Sequence, residues 1–555
     1  MATTTDSFYA ENEKGKGQWA AAVDTPAGEA YAGERDHLDD ENLKRGLKPR
    51  HISLISIGGI IGTGLFLGSG GALHNGGPLG LWLGYSIFGV ILVCLMQGLG
   101  EMASYLPLAG GHLLYASRFV DPALGFALSW TYTIMWLIVN PAELSAVAVL
   151  MNYWVKPTVV NNAVWIAIAM ALVFALNMFP ASVYGETEFI FSSIKVITII
   201  GLIICGIAIN CGAGPEGKYI GFKYWKNPGP FAPKFAGLTG AKGQFLGFWA
   251  VLTQAAFSYL GSEVVAVTAA ESKNPTRAIP RAIKQVYFRI CVFYILGTFV
   301  IGLNTSSTNP ALGSASDVRA SPFVIAIQEA GIKVLPHIIN GALVTSAWSA
   351  ANADIYIASR SIYSLAKQGF LPRFFLKTNQ RGAPYVASIT AAIFGALAFM
   401  AAGNKSAGTV FGWFCNLIAV AGLCCFTIIA YTYLQFRKAV DAQGIDRNDF
   451  PFRSSFARAG AWINLIVIPV IIFFSGWTVF LKSDKKFDHA TLITNYLPAV
   501  LCPLSWALYK FILKTKVIPS EEVDLHTGAR FKSQFQEEDA ALPTTLWGKA
   551  LGLIF

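Results

Sequence analysis

The chain is short of charge. Asp, Glu, Lys and Arg together make up 13% of its 555 residues, about half the share found in soluble domains. With 54% apolar residues and a mean hydropathy of +0.50, this excludes an ordinary water-soluble globule and leaves a polytopic membrane protein. Cysteine is scarce as well. Cys94, Cys205, Cys291, Cys415, Cys424, Cys425 and Cys502 fall in apolar stretches and Cys211 at an edge. No paired CxxC occurs, which excludes a zinc or disulfide framework. A Walker A motif is missing, which excludes direct ATP coupling of the usual kind. No nucleophile–base or metal constellation stands out, so neither an enzyme nor a cofactor is expected. Met1–Asp40 lacks an apolar core segment and is not a secretory signal.

What the sequence has is long apolar runs, about twelve of them, each of the length that crosses a bilayer. They are Ile52–Leu73, Leu79–Met102, Pro122–Trp154, Ala163–Phe179, Phe189–Cys211, Phe245–Ala269, Ile290–Leu303, Pro336–Ala366, Tyr385–Ala402, Val410–Phe436, Trp462–Phe480 and Leu492–Leu513. The seventh is the shortest, and its start extends back toward Ala282 on a generous reading. The expected layout is a cytoplasmic amino tail over 1–43, a membrane domain over 44–514 and a cytoplasmic carboxyl tail over 515–555. The net charge of +10 does not mark a nucleic-acid binder, because the basic residues lie between the spans. With the amino terminus inside, Arg118, Arg277, Arg281, Arg289, Arg360, Arg373, Arg381, Arg437, Arg447, Arg453 and Arg458 face the cytoplasm, and Arg319 alone faces out. That asymmetry is the positive-inside bias, and it predicts that both termini are cytoplasmic. Lysine fits less well, since the outward loop 212–243 carries five.

The first span is not a plain helix. Gly58, Gly59, Gly62, Thr63 and Gly64 sit near its centre, and interior glycine costs a helix about 1 kcal/mol against alanine. Broken backbone at membrane depth survives only where it is buried in protein or lines a cavity. A second interrupted segment, Phe257-Ser258-Tyr259-Leu260-Gly261-Ser262-Glu263, ends the sixth span. Paired interruptions in two halves of a chain point to the binding site of a secondary transporter. At the first break, the N–H groups of Gly62, Thr63 and Gly64 lie at the positive end of a half-helix, which suits a carboxylate. At the second, unwound carbonyls beside Ser258 and Gly261 suit an ammonium. Close helix packing is the alternative reading of these glycines.

Charged residues inside the spans add candidates, because a charge at the bilayer centre is paired, neutralised or functional. Glu143 in the third span and Glu263 beyond the second break can contact a substrate or carry a proton. A carboxyl removed from water favours its protonated form. Asp354 in the eighth span is a further candidate, against a purely structural role. Lys195 lies in the fifth span, either as a switchable proton carrier or reaching the inner interface.

A family resemblance rests on these same stretches. Leu47-Lys48-Pro49-Arg50-His51-Ile52 with Gly58 to Phe66, Gly100-Glu101-Met102-Ala103, Tyr105-Leu106-Pro107, Tyr184-Gly185-Glu186, Glu188-Phe189, Ile194-Lys195-Val196, Gly261-Ser262-Glu263, Ala270 to Pro275, Pro280-Arg281-Ala282-Ile283, Ser359-Arg360 and Leu365 to Gly369 together resemble the fungal amino acid permeases of the amino acid–polyamine–organocation superfamily. The resemblance covers roughly Leu43–Leu513. It implies an all-α membrane fold of two inverted five-helix repeats plus two further helices, with helices 1 and 6 broken. It implies an amino acid and protons as partners, and alternating access at the plasma membrane. It also implies a gating aromatic at Phe257, with Trp348 a weaker counterpart, and proton rather than sodium coupling through Lys195. An amino acid receptor with little flux, and an exchanger of amino acids or organic cations, remain the other readings. The sequence leaves open which amino acid is carried, the proton ratio and the oligomeric state.

Overall fold

The computed structural model describes residues 61–530, apart from 109, 216, 265–274, 314–320, 381, 404–406 and 481–486. Gly58, Gly59 and Glu271, the start of the first span and the two chain ends lie outside the described residues.

The fold is a helical bundle. A π-helical turn, Gly64–Gly68, leads into α1 (Ser69–Tyr105), which kinks at Gly77–Pro78 and so joins the first two expected spans. A short helix α2 (His112–Phe119) precedes α3 (Pro122–Met151). Asp121 caps α3 by accepting the Ala123 N–H at 2.8 Å, with Pro122 at the first helical position. There follow α4 (Asn162–Asn177), α5 (Ala181–Asn210) and, after a small hairpin of β1 (Lys234–Phe235) and β2 (Leu238–Thr239), α6 (Gly240–Tyr259). The seventh span is assembled from α7 (Pro275–Arg289), a π-helical stretch Ile290–Leu296 and α8 (Gly297–Asn304). Then come α9 (Pro322–Glu329), α10 (Leu335–Lys367), α11 (Tyr385–Gly395), α12 (Ala407–Ala442), α13 (Ala457–Phe473) and α14 (His489–Leu513).

Among the described residues, eight helices are long and apolar enough to cross a membrane. The difference from about twelve has a physical cause. The kinked α1 counts once, and α4 has only 16 residues. Helices α6 and α10 carry Ser, Thr, Asn, Gln and Asp toward the bundle interior, which lowers their hydropathy. The seventh span does reach back, to Ile279.

Burial separates core from rim. The α3 span is 83% buried, whereas α13 with its extension is 22% buried and α14 only 6%. The last two helices therefore form an outer layer. One assignment is corrected here: Arg289 is not in a cytoplasmic loop but fully buried at the end of α7, where its guanidinium donates to Ser262 Oγ.

Candidate functional site

The described residues begin inside the expected interruption of the first span. Ile61 and Gly62 are non-helical, and helix begins at Thr63. A side chain on Gly64 would put its Cβ 2.8 Å from Ser258 Cα and 3.2 Å from Phe257 Cδ1. Only glycine lets the first span approach the sixth this closely. The amide end of this helix already holds a carboxyl group. Thr63 donates to Glu143 Oε1 through its hydroxyl at 2.9 Å and through its N–H at 3.4 Å. The second carboxylate oxygen, Oε2, has no hydrogen-bond partner. Glu143 is 3% exposed.

The second break follows α6 directly. Leu260 is extended, with ψ 152°, and Gly261 has φ 89°, a conformation that favours glycine. A turn closes as the Val264 N–H donates to the Gly261 carbonyl at 3.1 Å. Carbonyls expected to be free already accept hydrogen bonds, that of Tyr259 from Ser262 Oγ at 2.8 Å. Tyr294 Oη donates to the Ser258 carbonyl at 2.8 Å, and Tyr85 Oη and Ser258 Oγ share a 2.8 Å hydrogen bond. Tyr259 Oη donates to the Tyr85 carbonyl at 2.8 Å and stacks on Tyr294 with centroids 4.3 Å apart. These tyrosines fix the end of α6 against α1 and the seventh span. Glu263, 1% exposed, sits beside Tyr132 and feels the Arg289 guanidinium.

Between the breaks lies a cavity of about 60 Å³. Gly62 and Gly64 line it from the first span, Glu143 with Met135, Trp136 and Val139 from α3, Phe257 and Ser258 from α6, and Ala350, Ala353, Asp354 and Ile357 from α10. Tyr184 and Tyr356 close one side, stacked with centroids 3.8 Å apart, and the Arg360 guanidinium lies 3.1 Å over the Tyr356 ring. Of the sequence-predicted residues, Gly62, Gly64, Glu143, Phe257, Ser258 and Asp354 meet here. Thr63 touches Glu143. Gly261 and Glu263 form the turn behind the wall. Trp348 packs edge-on against Phe191 at 5.1 Å, away from the lining.

Lys195 is 1% exposed rather than reaching an interface, and its Nζ lies 3.5 Å from Glu188 Oε1. Ser192 donates to the same oxygen at 3.1 Å, and Ser349 to Glu188 Oε2 at 2.9 Å. Sequence reading gave Glu188 no role, although Glu188, Ser192 and Lys195 fall on one face of a helix at i, i+4 and i+7. Arg289 and the tyrosines around Ser258 were also missed. Nothing in their local sequence distinguishes them from a loop arginine and ordinary core aromatics.

Among the described residues no group of His, Cys, Asp and Glu is placed to hold a metal ion. Outside the spans, His112 is buried edge-on to Tyr132 at 4.7 Å. Burial pushes its imidazole down to about 3, so the ring stays neutral through the physiological range.

This geometry accords with what the chain is similar to. Residues 51–518 match the amino acid permease family. The chain belongs to that family. Its members are permeases and not enzymes. A dicarboxylic amino acid permease of Saccharomyces cerevisiae is 42% identical over 508 residues, covering 90% of this chain and 82% of that protein. The lysine-specific permease of the same yeast is 37% identical, covering 93% and 83%. A proline-specific permease of Emericella nidulans is 37% identical, covering 91% and 92%. In fold, this permease is similar to a manganese transporter of Eremococcus coleocola, with a TM-score of 0.56 at 12% identity over 85% of this chain and 98% of that one.

Proposed function

We propose that this protein imports amino acids across the plasma membrane by proton symport with alternating access. The observation that carries the reading is that the helix start at Gly62–Gly64 and the end of α6 at Phe257–Leu260 line one cavity. Relatives named for dicarboxylic amino acids, lysine and proline support amino acids as the cargo. The arrangement proposed is twelve spans, ten of them in two inverted five-helix repeats, with the first and sixth broken and both termini cytoplasmic. The distribution of arginine supports that orientation.

In this account the amide end of the first span receives the substrate carboxylate. Glu143 occupies that end through Thr63, so an ionised Glu143 and an incoming carboxylate compete for the same donors. A proton on Glu143 removes the repulsion and lets both share the site. The substrate ammonium then takes up the free Glu143 oxygen or the backbone near Leu260. The Glu188–Lys195 pair and Glu263, buried behind the cavity, are the other groups on which protons can rest during the cycle. Inward movement of a proton down the membrane potential is worth about 2.3 kcal/mol per 100 mV.

A competition assay tests the zwitterion site. Free amino acids are expected to inhibit uptake of a labelled amino acid, whereas their methyl esters and decarboxylated amines are not. Equal inhibition by an amine lacking the carboxylate would favour the organic-cation exchanger instead.

A further inference from the structure

We infer that Asp354 reads the far end of the bound amino acid and selects a cationic side chain. This deepens the reading of the cavity as an amino acid site and rests on it. Three observations converge. Asp354 lines the cavity at 3% exposure, and its Oδ2 has no hydrogen-bond partner. A carboxylate oxygen buried without a donor is costly, and one that faces a cavity gains its donor when a ligand enters.

Position is the second observation. On α10, Ala350 lies against the first break, its Cβ 3.8 Å from where a Cβ on Gly62 would stand. Asp354 is four residues further along the same helix, about 6 Å along its axis. A substrate whose carboxylate sits at the amide end of the first span must therefore extend a long side chain to reach it. The walls between are aliphatic and aromatic, with Met135, Val139 and Ile357 among them, which suits a methylene chain.

Charge is the third. Among the described residues, none of those lining the cavity is Lys or Arg. Of the cations nearby, Lys195 lies 3.5 Å from Glu188 and Arg360 lies over the Tyr356 ring. Asp354 thus offers a charge-assisted bond to a terminal ammonium or guanidinium, and sets like charges together when the side chain ends in a carboxylate. The class selected is an α-amino acid bearing a cation at the end of a three- or four-carbon chain.

Uptake competition with 2,3-diaminopropionate, 2,4-diaminobutyrate, ornithine and lysine, beside methionine and glutamate, tests this on the wild-type protein. Potency is expected to rise with chain length, with lysine or ornithine at least roughly 30-fold ahead of methionine, the scale of a desolvated charge pair. Asp354→Asn should reduce the lysine-to-methionine ratio by a similar factor, and Asp354→Glu should shift the optimum toward the shorter chain. Transport of neutral or dicarboxylic amino acids with no advantage for long diamino acids would overturn the inference and leave amino acid transport standing. So would an Asp354→Asn protein that keeps the wild-type ratio but loses acid stimulation, since Asp354 would then be a proton carrier. Absence of any amino acid flux through wild-type protein at the cell surface would sink the transport reading and this one with it. If Asp354→Asn fails to reach the surface, the chain-length series on the wild type still decides.

Discussion

At the scale of single residues, Glu143 and Gly64 matter most. Glu143 sits where a substrate carboxylate is expected, bound to the N–H and hydroxyl of Thr63. Glu143→Gln keeps the shape but cannot cycle a proton. Its uptake should be flat between pH 4.5 and 7, and it should exchange labelled amino acid without accumulating it above the external concentration. His112 does not supply that pH response, because burial keeps it neutral throughout this range. Gly64→Ala drives a methyl group against Ser258 Cα at 2.8 Å. Overpacking of this kind costs about 1–3 kcal/mol, and uptake should fall accordingly while surface expression persists. The Glu188–Lys195 pair makes a third prediction. Removing one partner from a buried pair costs about 3–5 kcal/mol, so Glu188→Gln or Lys195→Met alone should lower the melting temperature in detergent. The double variant should recover part of the loss.

At the scale of elements, glycines interrupting an apolar run marked the place where helix starts at Thr63, and the break in the sixth span was legible because Gly261 follows a cluster of aromatic and polar residues. Hydropathy located α3, α5 and α12 well, since these are long and apolar. It left Arg289 between two readings, a loop residue or part of a seventh span extended back toward Ala282, because an arginine at the end of an apolar run reads as a loop residue unless its partner is known. That partner, Ser262, is 27 residues away. The tyrosines that hold Ser258 were hidden for the same reason: Tyr85 is 173 residues distant in the chain. Glu188 was the exception, since the i, i+4, i+7 spacing with Ser192 and Lys195 lay in view. The carboxyl segment after α14 was read as a cytoplasmic tail, yet residues 515–530 pack on the bundle. The Ile518 N–H donates to the Val120 carbonyl at 2.9 Å, Arg118 bonds the carbonyls of Asp524 and Thr527 at 2.7 Å each, and Leu525 is fully buried. Arg118→Ala should expose this segment to limited proteolysis. Burial works against the Asp524 charge, but the Thr527 N–H and the Arg118 guanidinium outweigh it and hold the carboxyl below its usual range. A depressed carboxyl contributes stability above its ordinary value near 4 and loses it as pH falls through the docked value. Docking should therefore be insensitive to pH between 5 and 7 and weaken only in stronger acid.

At the scale of the whole molecule, a buried bundle of helices surrounds the candidate cavity, and α13 and α14 form an outer layer. Helices α6 and α10, which line the cavity, carry polar residues that keep them below the hydropathy of a plain span. The central claim is that the two breaks carry an amino acid together with a proton. Uptake of a panel of radiolabelled amino acids, at acidic and neutral external pH and with and without a protonophore, tests it most directly. Saturable uptake that is stimulated by acid and abolished by the protonophore is the predicted result. Flux that requires internal amino acid and ignores the protonophore, or binding with no flux at all, would contradict it.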